Sequence, residues 1–169
     1  TGSSNVVIGA RAGYNVTIGA ENVMIGQNAG YNYAGTTSGV YGAFSTFIGH
    51  AAGYGVTGGH SYGNVMAIGH QPMYNATGAK HSIAIGNSAV VSGTNAEDVV
   101  ALGRGAGSYA DATGSVYVGN KAGFRPSGNY NVAVGYQALS GASSGTGFGT
   151  AHNNVAIGYQ SMLSVTSGG

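Results

Sequence analysis

Asn131-Val132-Ala133-Val134-Gly135-Tyr136-Gln137-Ala138 decides how this chain is read, because nearly the same octet returns along its whole length. Counted from the glycine after the apolar triplet, the copies are anchored at Gly9, Gly26, Gly49, Gly69, Gly86, Gly103, Gly119, Gly135 and Gly158, with an extra one at Gly19. The nine main anchors are 17, 23, 20, 17, 17, 16, 16 and 23 residues apart. Recurrence at that interval predicts stacked repeats that bury their faces against one another, not a single globular core.

Each position of the octet has a physical reading. The residues three before and one before the glycine, such as Val132 and Val134, share one face of an extended strand. The residue between them points the other way, and it too is apolar: Val7, Met24, Phe47, Ala67, Ala84, Ala101, Tyr117, Ala133 and Ala156. A strand apolar on both faces is buried on both sides. The glycine ends it in a turn open to positive φ. A small residue three places later, usually alanine, lets the coil fold back tightly. At the strand entrance stand Asn5, Asn22, Ser45, Ser82, Ser115, Asn131 and Asn154, short polar side chains able to bond nearby backbone or their copies in the next coil. The expected fold is all-β, a parallel β-roll or β-solenoid of about nine short coils, with strands running from the polar residue to the last apolar one (131–134 in the quoted copy). Residues 15–18, written in the same alphabet, are expected to form the back wall of the first coil. Glu97 and Asp98, adjacent just before a strand, are expected to point apart.

Composition agrees. There are 34 glycines in 169 residues, only 5% charged residues, two prolines and no cysteine or tryptophan. The absence of a three-residue period excludes collagen, and the regular Val and Ile content argues against disorder. A net charge of +1 leaves no electrostatic footprint for nucleic acid. No apolar run approaches the roughly 20 residues of a membrane span. One repeat array covers 1–169, with insertions at 31–44, 54–63 and 139–153; it opens on what reads as the tail of a preceding repeat, as expected for a piece of a longer array.

The copies at 131–139 and 154–160 resemble the repeats of bacteriophage tail-fibre proteins, and Ser82-Ile83-Ala84-Ile85-Gly86-Asn87-Ser88-Ala89 is similar to the head repeats of trimeric autotransporter adhesins. The resemblance implies a β-roll packed side by side as a homotrimer, extracellular, on a virion tail fibre or a bacterial surface, and attaching to a host surface glycan or protein. The varying repeat length departs from the more even adhesin heads, which sets the insertions apart. Independently of family, a two-walled coil encloses a thin core, so a doubly apolar strand needs a neighbour. The alanines Ala67, Ala84, Ala101, Ala133 and Ala156 are expected at that trimer seam.

Enzymatic chemistry is not expected, and no cofactor is implied. The acids number four, Glu21, Glu97, Asp98 and Asp111, and read as solvated charges beside aggregation-prone strands. A glycan-cleaving tailspike would need paired carboxylates across a groove. An ice-binding or purely structural filament would carry a flat Thr or Asn array without insertions. His50 and His70 each follow an anchor glycine; on a threefold axis such a residue offers three imidazoles to a metal, although no acid or cysteine accompanies them. Gly-rich 103–107 opens no helix and is no phosphate loop. Tyr14, Tyr31, Tyr54, Tyr74 and Phe124 recur five residues after the anchor and read as a stacked column. Tyr33, Tyr41, His60, Tyr62 and Phe148 lie off that register, in the insertions, and are the expected receptor contacts.

Overall fold

The computed structural model describes residues 3–16, 19–33, 44–56, 63–125, 128–141 and 152–163. Among them the chain is all-β without helix, a parallel solenoid. Nine three-residue strands form one sheet: β1 (Val6–Ile8), β2 (Val23–Ile25), β3 (Thr46–Ile48), β4 (Met66–Ile68), β5 (Ile83–Ile85), β7 (Val100–Leu102), β9 (Val116–Val118), β10 (Val132–Val134) and β11 (Val155–Ile157). Each pairs in parallel with the next, anchor column against anchor column. Register is kept from β2 to β3, β3 to β4 and β10 to β11, so the longer connections there do not shift the ladder. The strands start one residue after the polar entrance residue. The second wall expected of a two-walled roll is a strand ladder at residues the sequence did not single out, where β6 (Thr94–Glu97) pairs with β8 (Asp111–Thr113) on the return limb of two coils. The expected wall at 15–18 lies partly outside the described residues, and 15–16 are not in a strand.

The strand-centre residues point into the coil, and the two flanking rows point out. Met24, Phe47, Ala67, Ala84, Ala101, Tyr117, Ala133 and Ala156 are all buried within the single chain. The alanine seam is therefore corrected: Ala67, Ala84, Ala101, Ala133 and Ala156 line the interior of their own coil and present no methyl to a neighbour. The reason is volume. The coil is so thin that the strand centre faces the fourth residue after the anchor glycine, and one large side chain fills the space between. Where the strand centre is large, that facing residue is glycine: a methyl on Gly30 would come within 2.8 Å of Met24 Sδ, and methyls on Gly53 and Gly123 would overlap the rings of Phe47 and Tyr117. Where the strand centre is Ala67, Ala84 or Ala133, the facing position carries buried Met73, Val90 or Leu139. Large-with-small pairing of this kind is how a core reaches native density without voids. The rung of Ala101 and Gly107 is small on both sides, and Tyr117 from the next rung leans into it, so that a methyl on Gly107 would lie 2.9 Å from its Cδ2.

Stacking also fixes the anchor glycine. At Gly119, where φ is 131°, an added Cβ would sit 2.5 Å from the Gly135 carbonyl oxygen. Beside the strands runs a buried polar ladder. The Asn5 side-chain oxygen accepts from the Asn22 N–H (2.9 Å), Asn22 from Ser45 (2.9 Å), Ser45 from Val65 (3.2 Å), Ser82 from Val99 (2.9 Å), Ser115 from Asn131 (3.0 Å) and Asn131 from Asn154 (3.0 Å). Each side chain thus caps the backbone donor that enters the next strand, so burial costs no unpaired group. Val65 and Val99 interrupt the series.

Replacing Asn131 with Leu leaves the half-buried Asn154 N–H without its acceptor and should destabilise the fold by about 1 kcal/mol or more, read from the shift of the denaturant midpoint; an unchanged midpoint would show that the ladder contributes nothing. Tyr117 supplies a second test. Its hydroxyl is, among the described residues, a buried polar atom without a hydrogen bond of ordinary geometry, though it faces Ser115 and Asn131. Burial pushes the phenol up to about 12 from 10.0, only partly opposed by those two side chains. The folded state then holds this proton more tightly than the unfolded chain, so stability is level below pH 10 and falls as pH rises from about 10 towards 12. Tyr117→Phe should be neutral or stabilising at pH 7 and should flatten that alkaline loss. Tyr33, also raised by burial, leaves a remainder.

Candidate functional site

Three surfaces of the solenoid carry side chains beyond what the coil requires. The first is the outer face of the nine-stranded sheet. Its two rows, Val6 to Val155 and Ile8 to Ile157, hold Val, Ile, Leu, Met and a single Thr (Thr46), all half-buried or exposed. Eight steps of about 4.8 Å make this strip roughly 38 Å long. No charge interrupts the two rows, and among the described residues none is packed over them.

The second surface is aromatic. Tyr14, Tyr31, Tyr54 and Tyr74 stack face to face, with centroids 5.2, 5.0 and 4.9 Å apart and planes within 11° of parallel. This column arises because the fifth residue after each anchor occupies the same corner in every coil, and rungs repeat at the thickness of a stacked ring. A parallel column one residue after the anchor stacks His50 on His70 (5.0 Å) and Tyr136 on Tyr159 (5.3 Å). His50 and His70 are exposed rings in a face-to-face pair, an arrangement set by the rung spacing and not by convergence of their nitrogens on one point.

The tyrosine column does not continue unbroken to Phe124. Backbone bonds from Ser92 N to Tyr74 O, Tyr109 N to Val91 O and Arg125 N to Ser108 O place Tyr74, Val91, Ser108 and Phe124 in successive rungs of one column. Two rungs therefore lack a ring, and a notch of about 510 Å³ opens there. Tyr74 and Phe124 bound it, Val91 and buried Ser108 form its floor, and Arg104 and Lys121 stand beside it. Gly105, whose column partners are Ser88 and Lys121, adds no side chain and widens it further. The Lys121 ammonium lies 5.5 Å from the Phe124 ring centre, Arg125 stacks 5.3 Å from the Tyr109 ring centre, and Tyr109 meets Phe124 edge-on at 5.8 Å. With the Asn120 amide turned so that its oxygen faces Arg104, that oxygen accepts from Nε (2.9 Å) and Nη2 (3.1 Å) and fixes the guanidinium plane.

The third surface is a cross-rung ion pair, Lys80 Nζ to Glu97 Oε1 at 2.6 Å, beside a contact of His81 Nδ1 with Asp98 Oδ1 at 3.5 Å. Glu97 and Asp98 do not point apart as expected. Asp98 takes a left-handed φ of 55°, which brings both carboxylates and His81 to one side with ligand atoms within 4.8 Å of one another. The Lys80 ammonium already occupies Glu97, so the group reads as a polar cross-link between rungs.

Of the expected receptor contacts, Tyr41, His60, Tyr62 and Phe148 lie outside the described residues. Tyr33 is corrected: it is buried, its hydroxyl 2.9 Å from Ser45 Oγ and its ring edge-on to Phe47, so it belongs to the core. Sequence reasoning missed Arg104, Lys121 and Tyr109. The signal was present, since the fifth-position series reads Tyr, Tyr, Tyr, Tyr, Val, Ser, Phe, and the gap in it marks the notch. The chain matches no protein-family model, no curated protein and no solved structure.

An interior member of the tyrosine column has two ring partners and an end member one. With each stacked pair contributing about 0.5–1.5 kcal/mol, Tyr54→Ala should destabilise roughly twice as much as Tyr14→Ala in denaturant unfolding. Equal losses would mean that the stacking follows from the backbone and adds nothing to it.

Proposed function

We propose that this chain is a non-enzymatic structural and receptor-binding segment of an extracellular trimeric fibre that attaches to a cell surface, as in a phage tail fibre. The observation that carries the reading is the uncovered outer face of the main sheet. A strip some nine strands long, apolar but for Thr46 and walled by polar turns, has the character of an association surface. A second and third copy of the same chain suit it, because the apolar strip recurs rung by rung at one spacing on every copy, so identical chains can lie side by side along its whole length. Side-by-side trimerisation then runs through the Val and Ile rows.

The acids support a binding role over a hydrolytic one. Glu97 is tied to Lys80, Asp98 faces His81, and Asp111 accepts from the Asn95 side chain at 3.0 Å. A surface adhesin of a bacterium would use the same geometry. In a trimer each lateral site appears three times, so weak single contacts gain from avidity.

The test is association and adhesion together. The parent should have a solution mass about three times the 16.6 kDa chain, and Val116→Lys with Val132→Lys, which sets a cluster of like charges into the strip, should give folded monomer. Labelled parent should coat whole bacterial cells of a suitable strain, with monomeric variant binding at least tenfold less. A parent that runs as a 16.6 kDa monomer at micromolar concentration, or a charged variant with unchanged mass, would overturn the reading.

A further inference from the structure

We propose that the notch between Tyr74 and Phe124 binds an anionic sugar, a pyranose bearing a carboxylate or a sulfate. The proposal supplies the attachment reading with its ligand, and to that extent rests on it.

The argument starts from the interrupted column. Tyr74 and Phe124 are three rung steps apart, roughly 14 Å, where an unbroken column would place two more rings. One face of Tyr74 is covered by Tyr54 at 4.9 Å, and the other looks across Val91 into the notch. A free, rigidly held aromatic face beside a half-apolar floor is what the C–H face of a pyranose stacks against. The volume of about 510 Å³ lies within the range of small-ligand sites and matches one or two sugar rings. Ser88 and Gln71 at the rim offer hydrogen-bonding groups to ring hydroxyls.

Charge selects the sugar. The whole chain has five Lys and Arg residues, and Arg104, Lys121 and Arg125 gather at this one place. All four acids lie among the described residues, and neither Arg104 nor Lys121 forms an ion pair with any of them. Both cations are positioned before any ligand arrives. Arg104 is held by Asn120 through Nε and Nη2, leaving Nη1 to donate, and Lys121 is held over Phe124. A guanidinium of fixed plane next to an ammonium forms a fork for a planar carboxylate or for sulfate oxygens. An uncharged sugar would satisfy the ring and leave both cations unanswered. Nucleic acid would need a longer basic track than two adjacent rungs supply.

The experiment is titration calorimetry on the 169-residue chain with oligogalacturonate, a sulfated dextran oligosaccharide, neutral dextran oligosaccharide, and sodium acetate and sulfate alone. The first two distinguish the carboxylate from the sulfate source. Binding is expected to at least one charged oligosaccharide, at least tenfold tighter than to the neutral one or to the free ions, and weakened by added salt. Val91→Tyr should abolish it by extending the tyrosine column into the notch, with circular dichroism and melting temperature preserved. Arg104→Gln and Lys121→Gln, both surface changes, should each weaken it tenfold or more and serve if the tyrosine variant does not fold. Equal binding of charged and neutral sugars, binding to none, or full binding by Val91→Tyr or by both glutamine variants would overturn the proposal. Loss of cell coating without loss of sugar binding would count against the attachment reading alone. Cell coating by a parent that ignores all the oligosaccharides would sink the notch and leave attachment standing.

Discussion

Everything in this molecule depends on filling a coil that has room for one large side chain between each strand centre and the residue facing it. The walls are too close for two, and an unfilled rung would leave a void beneath backbone that must keep its stacking contacts. The chain meets this by alternation across the coil. Phe47 faces Gly53 and Tyr117 faces Gly123, whereas Ala84 shares its rung with Val90 and Ala133 with Leu139. The alanines at the strand centres and the glycines on the far wall are two halves of one rule. Because the interior is satisfied within a single chain, the remaining apolar rows face outwards as surplus.

Parallel stacking adds a second constraint, since each rung must present its neighbours with the groups that they expect. Buried Asn22, Ser45, Ser82, Ser115 and Asn131 hold the strand entrances together by accepting from the following rung. The anchor glycines permit carbonyl and Cα to pass at a distance that no side chain tolerates. The turns recur with the same left-handed residues, among them Asn28, Gln71, Ser88, Lys121 and Gln137 two places after the anchor. A corner fixed so tightly turns any side chain placed on it into a column, which is why tyrosines stack here and why omitting them leaves a defined gap.

The repeat, the strands and the polar ladder were legible because each follows from spacing and residue size in a single coil. The direction of the strand faces was not. Val132 and Val134 flank Ala133, and in a two-layer protein the bulkier pair would fill the core; here the cross-section reverses that choice, and the sequence clue was the covariation of Phe47 with Gly53 and Ala67 with Met73. Tyr33 looked like loop surface because it lies off the aromatic register, yet it drops beside Phe47 and bonds Ser45. The strands β6 and β8 carry polar sequences, Thr-Asn-Ala-Glu and Asp-Ala-Thr, with no apolar alternation to announce them. The charged notch was visible only once the column was laid out rung by rung.

Tyr117 reaching into the space beside Ala101 and Gly107 has a consequence for how such an array can change length. Most rungs are interchangeable units, and removing one would shorten the rod by a single step while the severed surfaces met as native neighbours. The rung of Ala101 is not independent in this sense. Cut out alone, it leaves the Tyr117 ring against a rung already occupied by Val90; kept without its successor, it is hollow. Those two rungs form an indivisible pair, so duplication or loss along this stretch is viable in twos, and the ledger of permissible lengths is written in the core before any outer surface is consulted.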